Sequence, residues 1–97
     1  MKTILLSNNV RWNGETYSAY KFFYPNQEPG IRLSDEIGDP CGTATIIGGK
    51  LDDGEVLIKD YSENDGIFQA LIDARVIEDT GEIQPIGHAN GHVARLL

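Results

Sequence analysis

Residues 56–77 constrain the fold most, because they combine a short apolar strand, a turn and the only convincing helix pattern in the chain. Ser62, followed three residues later by Asp65, has the spacing of a helix N-cap and its reciprocal partner, which predicts a helix starting at about Glu63. Apolar residues then recur at i, i+3, i+4 and i+7, giving one buried face formed by Ile67, Ala70, Leu71 and Ala74. Because an isolated helix of this length has only marginal stability in water, we expect it to pack against a sheet.

The rest of the chain is patterned for strands. Asn13-Gly14 separates residues 10–12 from residues 16–24, a segment dense in aromatic and hydroxyl residues, and predicts a hairpin because both central residues of a type I′ turn need positive φ. Residues 31–33 are expected to form a short edge strand. Residues 43–47 are expected to form an internal strand that pairs antiparallel with residues 56–58.

The C-terminal part predicts a strand that begins at Val76-Ile77, an acidic turn over residues 78–82 and a final strand over residues 92–96. With 97 residues and 40% apolar content, the chain fits one domain, residues 1–97. We therefore expect an α+β fold: a mainly antiparallel sheet of about five to six strands with one helix packed on one face.

Length and composition also indicate a setting. No apolar run approaches the roughly 20 residues that cross a bilayer, and the opening MKTILLSNN lacks the apolar region of a signal peptide. The single cysteine, Cys41, excludes an internal disulfide and favours a reducing cytoplasm. The sequence thus predicts a soluble cytoplasmic protein.

Charge is the most unusual bulk property, with a formal net charge of -7. Residues 35–82 hold thirteen acidic and three basic side chains, a net -10 within that segment. Phosphate backbones would be repelled by such a segment, whereas a basic protein surface would be attracted. Direct binding to nucleic acid is therefore not expected.

Several residue types with chemical potential are better explained by structure. The aromatic strand at residues 16–24 is expected mainly to fill a core. Cys41 has no basic neighbour in sequence that would lower its pKa, and glycines around His88 and His92 disfavour a shared metal-binding helix face. One acidic loop lacks the spacing of a calcium site, so we predict no cofactor; its carboxylates are Asp35, Glu36 and Asp39.

The phrase YSENDGIFQALIDARVIEDTG, followed by a short terminal strand that ends in ARLL, resembles a family of small acidic proteins of unknown function. Such proteins occur on bacterial plasmids, conjugative elements and prophages. The resemblance covers about the last 45 residues and carries no residue role with it. It implies a bacterial cytoplasm and a mobile element as the setting.

The leading hypothesis is a non-enzymatic binding protein whose acidic surface docks on a basic partner. It would act as an inhibitor that mimics nucleic acid on a host-defence complex, as anti-CRISPR and anti-restriction proteins do. The expected partner-binding residues are the carboxylates of two turns and of the helix start: Asp52, Asp53, Glu55, Asp60, Glu63, Asp65, Glu78, Asp79 and Glu82.

Three alternatives remain open on sequence grounds. Acidic loops also keep small proteins soluble without any further role. A small metal-dependent or nucleotide-binding enzyme would use carboxylates or the two histidines, and would need a pocket. A subunit of a phage or plasmid assembly would bind through the aromatic hairpin.

Overall fold

A computed structural model describes residues 3–48, 51–87 and 89–97. In these ranges the chain forms seven strands, a 3-10 turn at Ser62–Asn64 and one helix, α1, at Ile67–Asp73. The first sheet has the order β1-β2-β3-β4, with β1 at Ile4–Trp12, β2 at Glu15–Phe23, β3 at Pro29–Ser34 and β4 at Pro40–Thr43. The second sheet has the order β5-β7-β6, with β5 at Glu55–Ile58, β6 at Ile77–Ile86 and β7 at Ala89–Leu96.

The N-terminal hairpin forms as its turn chemistry predicts. Asn13 and Gly14 have φ values of 53° and 79°, and Trp12 pairs with Glu15 on either side of them. The polar residues 7–9 have the character of a turn, but β1 continues through them. Two register irregularities, between Leu5 and Ser7 and between Ser7 and Val10, accommodate the polar residues within the strand instead.

The α+β class is confirmed, but the single sheet is replaced by two antiparallel sheets of four and three strands. Residues 43–47 and 56–58 do not form the expected strand pair; they are joined by one isolated bridge between Thr45 and Ile58. β5 pairs with β7 instead, from Glu55–Arg95 to Ile58–His92. β3, expected at an edge, is internal because it pairs with both β2 and β4.

Thr45 lies where the chain passes from one sheet to the other. Its side-chain oxygen accepts a hydrogen bond from the Ile31 backbone N–H at 3.1 Å and lies 2.9 Å from the Tyr24 hydroxyl. Nearby, Ala44 N–H donates to the Ile31 carbonyl and Lys59 N–H donates to the Ala44 carbonyl. These bonds satisfy a buried polar corner and connect the two sheets.

The core lies between the sheets and the helix. Alternation along each strand sends one set of side chains inward, and α1 lies against β1 and β6. The largest fully buried side chains include Val10 and Ile31 from the first sheet, Ile58 from the second and Ile67 and Leu71 from α1.

The predicted helix start is wrong. Residues 62–64 form a 3-10 turn, and the α-helix begins at Ile67 after Gly66, whose φ is 90°. Ser62 makes no capping bond; the Asp60 carboxylate accepts from the N–H groups of Gly66 and Phe68, at 3.0 and 3.1 Å. Gly66 is needed for its left-handed backbone.

The predicted acidic turn over residues 78–82 is likewise a strand. These residues belong to β6, which pairs with β7 on both sides of a register irregularity between Asp79 and Ile83. Gly81, with φ 83°, allows the backbone to change direction there. The following reversal joins β6 to β7 around Gly87, and His88 lies outside the described residues.

Candidate protein-binding surface

Five of the nine predicted binding carboxylates lie at one end of the second sheet. β5 and β6 both run antiparallel to β7, so their first residues meet at the last residues of β7. We call this group the acidic end; it consists of Asp52, Asp53, Glu55, Glu78 and Asp79.

Arg95 lies in the middle of the acidic end. Glu55 and Glu78 are its cross-strand partners on either side. Arg95 Nη1 lies 3.0 Å from Glu78 Oε1, and Nη2 lies 3.9 Å from Glu55 Oε2. The guanidinium therefore links two strands through their carboxylates across the central strand.

Glu55 is a structural residue as well as an acidic one. Its exposed fraction is only 7%, and its Oε1 accepts a hydrogen bond from the Asp52 N–H at 2.9 Å. The Glu55 N–H in turn donates to the Asp52 carbonyl. This reciprocal pair fixes the turn that presents the exposed side chains of Asp52 and Asp53.

The carboxylates near the helix form a separate group. Asp60, Glu63 and Asp65 follow the end of β5, whereas the acidic end lies where β5 and β6 begin, and the four-residue β5 keeps the groups roughly 10 Å or more apart. The Asp60 carboxylate accepts the two helix N–H bonds, and its Oδ2 lies 4.0 Å from His92 Nε2. The nine residues therefore do not form one uninterrupted face.

Glu63 is already paired. Its Oε1 lies 2.6 Å from Lys59 Nζ, and this contact lowers the pKa of Glu63 and raises the pKa of Lys59. The Glu63 side chain is exposed and that of Lys59 is partly exposed, so the pair adds little to stability. Glu82, the remaining predicted residue, lies in the irregular part of β6, where its Oε2 accepts from Gln84 Nε2 at 3.0 Å.

An acidic groove of about 430 Å³, separate from the acidic end, lies beside the hairpin turn. It is lined by Gly14, Glu15, Thr16, Tyr17, Asp35, Glu36, Ile37 and Cys41. The hydrogen bond to Glu15 raises the pKa of Tyr17. Asp35 Oδ1 accepts from the N–H groups of Ile37 and Asp39, so this carboxylate shapes its own loop. Within residues 3–48, 51–87 and 89–97, no three acidic, histidine or cysteine side chains are grouped to hold a metal ion.

We expect Cys41 to react slowly with alkylating reagents. Partial desolvation, and then the negative charge of Asp35, raise the pKa of its thiol, so less thiolate is present at neutral pH. The rate of alkylation by iodoacetamide, followed from pH 7 to pH 10, should rise at higher pH than in the same protein unfolded in guanidinium. A midpoint at or below that of the unfolded control would contradict the raised pKa.

The aromatic side chains of the hairpin are used mainly in packing. Phe22 is 4% exposed; the Arg32 guanidinium lies 4.6 Å from its ring centre, and Tyr24 contacts its edge. Trp12 and Tyr17 pack against the core cluster. Of the hairpin aromatics Trp12, Tyr17, Phe22 and Phe23, the most exposed is Phe23, at 43%.

Outside the hairpin, His92 is stacked on Phe68, with ring centres 4.2 Å apart.

Comparison of the chain with protein-family models, with curated proteins and with solved structures gives no match. No helix in the described ranges has the length and apolar character needed for a bilayer crossing. The geometry of the acidic end is therefore the main observation that bears on function. Sequence reasoning missed Arg95 at its centre, because Arg95 is 40 residues from Glu55 and has no local charge signal.

Proposed function

We propose that this chain is a non-enzymatic binding protein whose acidic end docks on a basic surface of another protein. The observation that carries the proposal is the concentration of five carboxylates at one end of the β5-β7-β6 sheet. Asp52, Asp53 and Asp79 make no ion pair with any residue in the described ranges, so their charges are available to a partner.

The position of the acidic end on paired strands supports binding. Arg95 holds Glu55 and Glu78 at defined positions, and the Asp52–Glu55 bonds hold the neighbouring turn. A partner that binds here would not have to order long, mobile side chains first, which reduces the entropic cost of association. Its lysines and arginines would be attracted at long range by the net charge of -7.

The finer proposal is that the acidic end imitates the phosphates of a nucleic acid and occupies a nucleic-acid site on a bacterial defence complex. It is supported by the negative charge and by the resemblance of the C-terminal half to acidic proteins of mobile elements. In that setting the protein would act in the bacterial cytoplasm and would bind no nucleic acid itself.

Charge reversal at two exposed positions tests the docking surface. The variant Asp52→Lys/Asp53→Lys should lose at least about tenfold in affinity for a basic partner captured from bacterial lysate, because attractive contacts become repulsive. Glu55 is unsuitable for reversal, because a lysine would lie beside Arg95 at a buried position. Affinity is measured by surface plasmon resonance at several salt concentrations.

The matched control is Glu36→Lys/Asp39→Lys, which makes the same change in net charge on an exposed loop of the first sheet. This control should retain affinity within about twofold, apart from a general salt effect. Equal losses in both variants would mean that net charge, not the acidic end, attracts the partner. Retention of the partner by the Asp52/Asp53 variant would remove the proposal.

Competition with DNA tests the finer proposal separately. If the acidic end occupies a nucleic-acid site, excess double-stranded DNA should displace the protein from its partner, and the protein should inhibit DNA binding by that partner. A ternary complex of protein, partner and DNA would refute mimicry while leaving docking intact.

A further inference from the structure

The free edges of the two sheets differ in how well they are protected. Within the described residues, the edge strands are β1, β4, β5 and β6. β4 has four residues and begins with Pro40, and β5 is covered on its open side by the segment at Thr45, where Ile46 N–H donates to the Leu57 carbonyl. β6 carries charges and a proline: Glu78, Asp79, Glu82 and Pro85. These features block pairing with another chain.

β1 has little such protection. Its sequence from Ile4 to Val10 contains no charge and no proline, and Ile4 and Leu5 are 53% and 51% exposed. In the described chain only β2 pairs with it. The two register irregularities bend the strand, so the regular parts of this edge are short. The edge can therefore accept a short extended segment more readily than a long one.

A groove of about 440 Å³ runs between this edge and α1; it is lined by Asn9, Arg11, Ala70, Asp73, Ala74 and Arg75. The small alanine side chains leave room between strand and helix. The Trp12 Nε1–H group donates to the Asp65 carbonyl at 2.8 Å, which helps to hold the segment before the helix beside β1. An open strand next to a helix offers backbone partners on one side and a side-chain groove on the other.

The groove carries two guanidinium groups. Neither Arg11 nor Arg75 makes an ion pair with a residue in the described ranges. The third charged group, Asp73, accepts a hydrogen bond from Gln69 Nε2 at 2.9 Å. Arginine suits a carboxylate ligand, because its planar fork can donate two parallel hydrogen bonds.

Arg75 occupies a position where glycine would be more stable. Its φ is 62°, and the bonds from Val76 N–H to the Leu71 carbonyl and from Arg75 N–H to the Ile72 carbonyl close the helix end as a Schellman motif. Glycine is the usual residue at this left-handed position because it has no Cβ. The backbone of Arg75 is therefore strained, and such strain is a ground for asking what its side chain does.

We propose that the groove between β1 and α1 binds an extended acidic peptide, whose backbone pairs with β1 and whose carboxylate lies between Arg11 and Arg75. This surface is distinct from the acidic end and has the opposite charge preference. A peptide fits better than a nucleic acid, because a phosphodiester backbone has no amide groups with which to pair with the open edge of β1.

The test uses a capped heptapeptide of alternating threonine and valine around one glutamate, with a matched peptide that carries lysine instead. Titration into the nitrogen-15-labelled protein should shift amides of β1 and of the C-terminal half of α1. The glutamate peptide should bind about tenfold more tightly than the lysine peptide. The variant Arg11→Glu/Arg75→Glu should reverse that preference.

Arg75→Gly separates binding from folding. This variant should raise the melting temperature by about 4 °C, because the strain at the helix end is removed. It should nevertheless lower the affinity for the glutamate peptide by at least about fivefold. Gln27→Gly is the matched control: Gln27 also has positive φ, 71°, in an exposed turn away from the groove. It should raise stability similarly and leave peptide affinity unchanged.

Four outcomes would overturn the proposal. They are no amide shifts at millimolar peptide, equal binding of both peptides, shifts outside β1 and α1, and preferential occupation of the same amides by a single-stranded oligonucleotide. Self-association in sedimentation that Arg11→Glu/Arg75→Glu abolishes, without any amide shift from the peptides, would also overturn it, because a second copy of the chain would then be the occupant. The variant Asp52→Lys/Asp53→Lys should bind the glutamate peptide as the unchanged protein does. Failure of the peptide-binding proposal is therefore distinguishable from failure of the acidic end as a docking surface.

Discussion

Replacing Gly91 with alanine is expected to lower the free energy of unfolding by about 1 to 3 kcal/mol. Gly91 lies in β7, the central strand of the second sheet, opposite Gln84. A Cβ at this position would lie 2.6 Å from Leu57 Cδ1 and 2.7 Å from Leu57 Cγ. Leu57 is fully buried and cannot move out of the way without displacing other core atoms. Urea denaturation followed by circular dichroism measures the loss.

A double-mutant cycle identifies the cause. Leu57→Ala alone should cost about 2 to 5 kcal/mol, because it leaves a cavity in the core. Combined with Gly91→Ala, it should cost at least about 1 kcal/mol less than the sum of the single changes, because the new methyl group enters the space that Leu57 vacated.

Gly81→Ala is the matched control for this cycle. Gly81 has φ 83°, but a Cβ there would meet nothing within 4 Å. Alanine at this position should cost about 1 kcal/mol through backbone strain alone, and this cost should add to that of Leu57→Ala. Additivity for the Gly91 pair as well would show that crowding against Leu57 is not the reason for glycine in β7.

Local signals in the sequence predicted part of this fold. Asn13-Gly14 specifies its hairpin because the turn requires positive φ at two adjacent residues, and both have it. The apolar spacing of residues 67–74 specifies the buried face of α1, since Ile67, Ala70 and Leu71 are buried. Each of these features depends only on residues that are close together in the sequence.

The division into two sheets depends on a choice that the sequence does not reveal. Residues 43–47 and 56–58 both have strand character, and a glycine-rich turn between them favours a local hairpin. In the fold, β5 pairs instead with β7, which begins more than 30 residues later, and residues 44–46 make the transition between the sheets. Apolar strands of similar quality compete for the same partner, and periodicity alone does not rank them.

The candidate surfaces show the same limit. Counting charges identified an acidic segment, yet it could not distinguish the acidic end from the group at the helix start or find Arg95 between Glu55 and Glu78. The groove of Arg11 and Arg75 had no sequence signal, because its two arginines are 64 positions apart. Such groupings arise only when the strands are assembled.

Replacing Asp60 with alanine is expected to lower the free energy of unfolding by about 2 to 3 kcal/mol, because one carboxylate oxygen accepts two N–H groups at the start of α1. The side chain is 22% exposed, so water replaces those bonds only in part. The negative charge also lies at the positive end of the helix dipole. Asp60→Asn keeps an acceptor oxygen at this position and should cost about half as much. Thermal and urea unfolding measure both changes.

Ser62→Ala decides between the sequence-based and structural accounts of this helix start. If Ser62 were the N-cap, its replacement would cost about 1 kcal/mol. In the fold, Ser62 makes no capping bond and begins a 3-10 turn with φ 56°, so Ser62→Ala should change stability by less than about 0.5 kcal/mol. A loss at Ser62 that matched the loss at Asp60 would mean that the helix begins near residue 63 after all. A loss confined to Asp60 would mean that the cap comes from outside the local motif, through bonds that span six and eight residues.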